Sequence, residues 1–141
     1  MPVLDNETKT ELNRIFTTLA GPVKLKLYTE EHAEGLSSEI AELLLELGGL
    51  SEKVSVDVRA LAESGEPAAR YGIERAPAIV VEAERDYGIR YYGAPAGYEF
   101  GSLIEVMLDV ARGDVELSKE VRAGLERLQD PVHIKVFVTP G

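Results

Sequence analysis

Pro22-Val-Lys-Leu-Lys-Leu-Tyr28 decides how the rest of the chain is read. Val23, Leu25 and Leu27 alternate with Lys24 and Lys26, and a period of two puts the three apolar side chains on one face of a strand. Upstream, Leu12, Ile15, Phe16 and Leu19 recur at helical spacing until Gly21-Pro22 ends the segment. Downstream, Ile40, Leu43, Leu44 and Leu47 form one apolar stripe, with Ser37 as the expected N-cap and Gly48-Gly49 as the expected left-handed stop. Val54, Val56 and Val58 alternate as a second strand. A full helix separates the two strands, which predicts that they run parallel.

Further out, Glu66-Pro67 opens a short helix that ends at Tyr71, with Gly72 beyond it. In Ala76-Pro-Ala-Ile-Val-Val-Glu82 the proline precedes a β-branched run, which suits the start of a strand. Arg85-Asp-Tyr-Gly88 reads as a turn into Ile89-Arg-Tyr-Tyr92, so residues 78–92 are expected to form an antiparallel hairpin. Phe100, Leu103, Ile104, Met107, Leu108 and Ala111 then mark a longer amphipathic helix that Gly113 terminates. The order predicts a layered α/β domain over residues 1–113, a mixed four-stranded sheet with helices on both faces.

Composition narrows the chemistry. The chain has 141 residues, 45% of them hydrophobic, enough for one domain with a real core. It contains no cysteine, which removes disulfides, thiolate nucleophiles and Cys-ligated metals. Its 25 Asp and Glu against 15 Lys and Arg repel phosphate backbones and anionic lipid, so neither nucleic acid nor a membrane is an expected partner. The start, Met1-Pro-Val-Leu-Asp-Asn6, lacks a basic and an apolar targeting region, and a cytoplasmic protein is expected. The glycines form neither Gly-x-Gly-x-x-Gly nor a phosphate loop, and no cofactor is expected.

The remaining residues, 114–141, look like the beginning again. Val121, Leu125, Leu128, Pro131 and Val132 match Leu12, Phe16, Leu19, Pro22 and Val23 at a constant offset of 109 positions. Pro131-Val-His-Ile-Lys-Val-Phe137 mirrors the opening strand, so a helix and a strand starting a second unit are expected there. A strand needs partners for its backbone groups. Residues 132–138 are therefore expected to pair with the first unit's edge or with another chain, and left alone they favour a homodimer.

Several stretches now carry a family resemblance. They are Ser38-Glu-Ile-Ala-Glu-Leu-Leu44, Gly49-Leu-Ser-Glu-Lys-Val-Ser-Val-Asp57, Tyr71-Gly-Ile-Glu-Arg-Ala-Pro-Ala-Ile79, Arg90-Tyr-Tyr-Gly-Ala-Pro-Ala-Gly-Tyr-Glu-Phe100 and Val136-Phe-Val-Thr-Pro140. Together they resemble the first thioredoxin-fold unit of the two-unit, glutaredoxin-like protein disulfide oxidoreductases of thermophilic prokaryotes. The related N-terminal domain of the alkyl hydroperoxide reductase flavoprotein shares the doubled layout and has a first unit without the cysteine pair. The resemblance implies a thioredoxin-like fold in a protein devoted to thiol–disulfide exchange and cell redox homeostasis.

In that family a Cys-x-x-Cys pair sits between the first strand and its helix, whose N-terminus stabilises the thiolate. Here the loop reads Thr29-Glu-Glu-His-Ala-Glu-Gly-Leu36, and Ala33 and Leu36 fall at the lost cysteine positions. Neither can form a thiolate, so no catalytic residue for thiol exchange is expected in this chain. The resemblance further implies that Pro77 is the family's cis-proline and that the backbone of Ala76 can pair with an extended substrate peptide. It implies a scaffold or docking unit, partnered by a second thioredoxin-like unit or another chain.

Two other readings come from the residues themselves. Glu31 and His32 could serve a non-thiol enzyme, and a freestanding peptide-binding adaptor would use the groove at Pro77. No metal site is expected, because adjacent acids at a helix start are ordinary first-turn electrostatics and His133 lies far off in sequence. Tyr91 and Tyr92 lie at neighbouring hairpin positions, so one faces a helix layer and the other is a candidate surface contact.

Overall fold

The computed structural model describes residues 3–32 and 34–139, apart from the side chains of residues 66 and 67. Helix α1 (Asn6–Phe16) starts where the Asp5 carboxylate accepts the Thr8 N–H at 2.7 Å. It leads into β1 (Val23–Thr29), α2 (Leu36–Gly49), β2 (Val54–Ala60), α3 (Leu61–Arg70), β3 (Ala78–Glu82), β4 (Arg90–Tyr92) and α4 (Tyr98–Arg112). The sheet order is β2-β1-β3-β4. Strand β1 runs parallel to β2, with Val23 opposite Val54 and Thr29 opposite Ala60. It runs antiparallel to β3, with Leu27 opposite Ile79, and β3 forms the expected hairpin with β4, Ile79 opposite Tyr91.

The alternation in β1 sorts the layers. Val23, Leu25 and Leu27 join Ile79 and Val81 in a core closed by α1, α2 and α4, through Phe16, Leu44, Leu47 and Met107 among others. Tyr28, Ala78 and Val80 point to the opposite face, where Ala68 of α3 and Ile73 cover them. The mixed four-stranded sheet with helices on both faces is thus the observed architecture.

Three local expectations are corrected. Helix α2 is preceded by Gly35, whose φ of 56° only glycine adopts cheaply, and Ser37 lies one residue inside the helix with its hydroxyl turned to Glu30. Gly48 and Gly49 are helical, not left-handed, and the helix ends in an αR residue, Leu50. Gly48 is there for close packing, since a Cβ on it would come within 2.9 Å of Val56 Cγ2. The helix expected from residue 66 is the second half of α3, which already begins at Leu61 and breaks at Gly65 (φ 45°, ψ −120°).

On the α3 face the apolar cover gives way to a polar network. Glu82, almost fully buried, receives the Tyr71 hydroxyl at 2.9 Å and the Lys26 ammonium at 2.9 Å. Burial opposes the charge on Lys26, but the bonds to Glu82 and Tyr71 outweigh it and hold the ammonium pKa above its ordinary value. Arg90 completes the arrangement with a bidentate grip on Asp86 at 2.6 and 2.8 Å and a bond from Nε to the Tyr71 carbonyl at 2.8 Å. Among the described residues every buried side-chain polar atom has a hydrogen-bond partner.

Beyond α4, Gly113 takes the left-handed conformation expected of a stop (φ 73°). Helix α5 (Lys119–Glu126) follows, its N-terminus closed by the Ser118 hydroxyl accepting the Val121 N–H. The expected helix is therefore present. Residues 132–138 pair with no strand of the sheet, so the pairing expected with the unit's own edge does not occur. The reason is physical: α5 buries none of its residues, so nothing carries the segment that follows it back to an edge.

Two stability effects follow. Gly48→Ala gains helix propensity but drives a methyl into Val56, so urea unfolding should show a loss of about 1 kcal/mol. Gly49→Ala meets no atom within 4 Å and should gain about 0.5 kcal/mol in the same measurement. The hydrogen bonds from Arg90 to Asp86, helped by the Gly88 N–H, hold the Asp86 carboxyl down to about 2 against an ordinary 3.8. A depressed carboxyl pKa stabilises the fold above about 3.8 and ceases to do so as pH falls toward 2. Thermal midpoints of the parent and Asp86→Asn should accordingly converge across that window and stay apart above it.

Candidate functional site

The register of the sheet gathers the candidate residues at one end. Thr29 closes β1 opposite Ala60, Tyr28 pairs with Ala78, and Ala78 pairs with Tyr92. The start of the loop after β1, at Glu30, the Ala76-Pro77 step and the Gly93-Ala94 step therefore emerge at the same end of the sheet. Thr29 is fixed there because its buried hydroxyl donates to the carbonyls of Glu30, at 3.0 Å, and Arg59, at 3.4 Å.

Ala76-Pro77 is a cis peptide bond. The Pro77 carbonyl accepts the Gly93 N–H at 3.2 Å, which ties the step to the end of β4. Neither the N–H nor the carbonyl of Ala76 has a partner among the described residues. Those groups are left as a short open edge, able to form two hydrogen bonds with an extended chain.

The two tyrosines divide as the alternation requires. Tyr91 packs against the larger core, and its hydroxyl reaches the Ala94 carbonyl at 3.0 Å and the Glu99 carboxylate. Burial, reinforced by Glu99, pushes its phenol up to about 12, so Tyr91 is neutral at physiological pH. Tyr92 is the outward one, 38% exposed, with the Arg75 guanidinium 4.5 Å over its ring. Arg75 thus joins Tyr92 and Ala76 at the open edge. Sequence reasoning missed it, because a cation stacked across two loops leaves no periodic signal.

Of the two lost cysteine positions, Leu36 opens α2 and is 48% exposed, whereas Ala33 lies outside the described residues. Beside Leu36, the Ser37 hydroxyl donates to the Glu30 carboxylate and holds its pKa below the ordinary carboxylate value. An internal anion is therefore held at the start of the helix, where negative charge is favoured. Glu31 and His32 are exposed, and their side chains make no hydrogen bond or ion pair with another described residue. Nothing among the described residues arranges them as an acid–base pair. No three His, Asp or Glu side chains converge there as metal ligands either, among the described residues. No helix of the described residues is long and apolar enough to cross a membrane.

Comparison with known proteins bears on the fold. No family model matches the chain. In sequence it is 29% identical over 127 residues to the alkyl hydroperoxide reductase AhpF of Escherichia coli, covering 90% of this chain and 22% of that protein. In structure it superposes on the AhpF of Enterococcus faecalis with a TM-score of 0.76 at 23% identity, covering 89% of this chain and 61% of the other. A protein disulfide oxidoreductase of Aeropyrum pernix gives the same TM-score, 0.76, at 19% identity, covering 89% of this chain and 56% of that one. The chain spans about a quarter of the length of the curated relatives it matches. With a β2-β1-β3-β4 sheet, a cis-proline at the entrance to β3 and no cysteine, this chain is a unit of thioredoxin fold that resembles the N-terminal domain of the alkyl hydroperoxide reductase AhpF.

Proposed function

We propose that this chain is a redox-inactive docking unit of, or derived from, a protein disulfide oxidoreductase. Residues 1–113 form the thioredoxin-like unit without its cysteine pair, and residues 114–141 begin a second unit of the same kind. The docking unit holds an extended segment of a protein partner while thiol–disulfide exchange takes place on a catalytic unit elsewhere. The observation that carries this reading is the open backbone of Ala76 beside cis Pro77, in a chain whose α2 opens with Leu36 and which has no cysteine. Peptide pairing needs a free N–H and a free carbonyl, which are present. Exchange needs a thiolate, and the chain has no cysteine.

The tyrosine edge gives the docked segment something to lie on. Tyr92, stacked by Arg75, offers an aromatic face beside the two backbone groups. Residues 132–138 supply a further unpaired stretch, for a strand of the second unit or of another chain. The same open edge would serve a freestanding adaptor, and the two roles differ only in what is joined to the unit.

Two measurements test the proposal. In the insulin reduction assay with dithiothreitol, the rate should equal the protein-free control; a clear acceleration would mean that the chain exchanges disulfides after all. Reduced and alkylated insulin B chain, added to isotope-labelled protein, should shift the amide resonances of Ala76, Tyr92 and Gly93, and Tyr92→Ala should weaken that binding several-fold. Absence of those shifts at saturating peptide, or shifts confined to another face, would sink the docking role.

A further inference from the structure

The arginines of this chain are held in two ways. With 25 Asp and Glu against 15 Lys and Arg, a carboxylate is the ordinary partner: Arg14, Arg59 and Arg112 each bond one at 2.7–2.8 Å. Arg90 uses its whole fork on Asp86 and the carbonyls of Tyr71 and Ile89. Arg75 and Arg85 instead lie over tyrosine rings, each 4.5 Å from the centre, on Tyr92 and Tyr87 respectively. Neither has a carboxylate oxygen within 4.0 Å among the described residues. Stacking uses the face of a guanidinium and leaves the N–H groups around its rim free to donate.

The two stacked arginines differ in what stands beside them. Arg85 follows Glu82, at the end of the sheet away from the open edge. Arg75 immediately precedes Ala76, whose N–H and carbonyl lack partners among the described residues. An open N–H and carbonyl can pair with the main chain of an extended segment, and a planar fork beside them can take a carboxylate from the same segment. In an antiparallel pair, the residue next to the one opposite Ala76 comes opposite Arg75, where opposite charges attract. Tyr92, on which Arg75 is stacked, gives that pair an aromatic wall, and a charge pair partly withdrawn from water interacts more strongly than one in open solvent.

We infer that Arg75 makes the open edge selective for extended segments that carry Asp or Glu next to the residue paired with Ala76. The inference rests on the docking role proposed above and names the chemistry of the partner. The rest of the chain opposes the selection at long range. A formal net charge of -10 repels an acidic peptide, and Glu74, beside Arg75 in sequence, is exposed, as are Glu30, Glu31 and Glu34 in the loop after β1. At about 0.15 M ionic strength the screening length is roughly 8 Å, so distant carboxylates are muted while a direct contact is spared. The preference therefore belongs to the contact at Arg75 and not to the field of the molecule.

Three blocked Thr/Val peptides, identical except for a central Glu, Gln or Lys, separate these contributions when titrated into isotope-labelled protein at about 0.15 M salt. The amide shifts of Ala76 and Gly93 should show the Glu peptide binding about fivefold tighter than the Gln peptide, the upper end of what a half-exposed ion pair contributes, with the Lys peptide weakest. In Arg75→Gln the Glu-to-Gln ratio should fall to one or below. Arg75→Lys, a point charge without the fork, should keep part of the ratio. Arg85→Gln removes the same charge from the stacked site at the far end of the sheet and should keep all of it. Equal affinities for the three peptides, with shifts still at Ala76, would overturn the selectivity and leave docking standing. A Glu preference that survives Arg75→Gln, or is lost in Arg85→Gln, would assign it to the overall field and overturn the inference as well. No shift at Ala76 with any of the peptides would overturn the docking role and the selectivity together.

Discussion

Strand β1 meets neighbours on both edges and both faces, and everything else in the unit takes its position from that requirement. Its backbone groups are shared between β2 on one side and β3 on the other. Its odd residues need an apolar layer, which α1, α2 and α4 supply, and Tyr28 needs a second layer, which α3 supplies. A strand so placed cannot slip by one residue without moving Leu25 and Leu27 out of the core and two lysines into it. Register is therefore fixed, and a fixed register brings Thr29, Ala60, Ala78 and Tyr92 to one end of the sheet. The open edge at Ala76 is a consequence of packing in the middle of the molecule.

The lysines of β1 show how the same strand tolerates its polar residues. Lys26 faces the α3 layer, and its ammonium lies 4.6 Å from the centre of the Tyr71 ring and 2.9 Å from the Glu82 carboxylate. Arg90 approaches the other side of the tyrosine system, 5.2 Å from the ring. Glu82 is nearly buried, and removing either donor would leave a carboxylate short of a partner in a low-dielectric place. The network closes the end of the sheet opposite the open edge. One end is thus fully satisfied, and the other keeps two backbone groups unspent for a partner.

The layers are legible in the sequence wherever periodicity is long. The β1 and β2 alternations, the α2 and α4 stripes and the hairpin all follow from a period of two or of 3.6, and the structure has each of them. What periodicity misses depends on contacts across the fold. Gly48-Gly49 has the composition of a helix stop, yet Gly48 is selected by the nearness of Val56 on another element. Ser37 is a good capping residue by type, but Glu30 competes for its hydroxyl. At the site, Pro77 and Ala76 stand out through family likeness, and Tyr92 follows from alternation. The stacking of Arg75 over Tyr92 is reached by neither route, because two loops must be folded before the pair exists.

The repeat adds a last step. Val23, Leu25 and Leu27 on one side and Val132, Ile134 and Val136 on the other share pattern, spacing and the helix before them, yet Leu25 is 0% exposed and Ile134 is 78% exposed. Periodicity states which face of a segment is apolar, and it is silent on whether anything covers that face. In the first copy, the pattern is answered within the chain by α2, α4, β2 and β3. In the second it is answered by nothing among the described residues. Alternation in that stretch is a demand for neighbouring strands and a covering layer, which a second thioredoxin-like unit would supply by the same packing that covers Leu25.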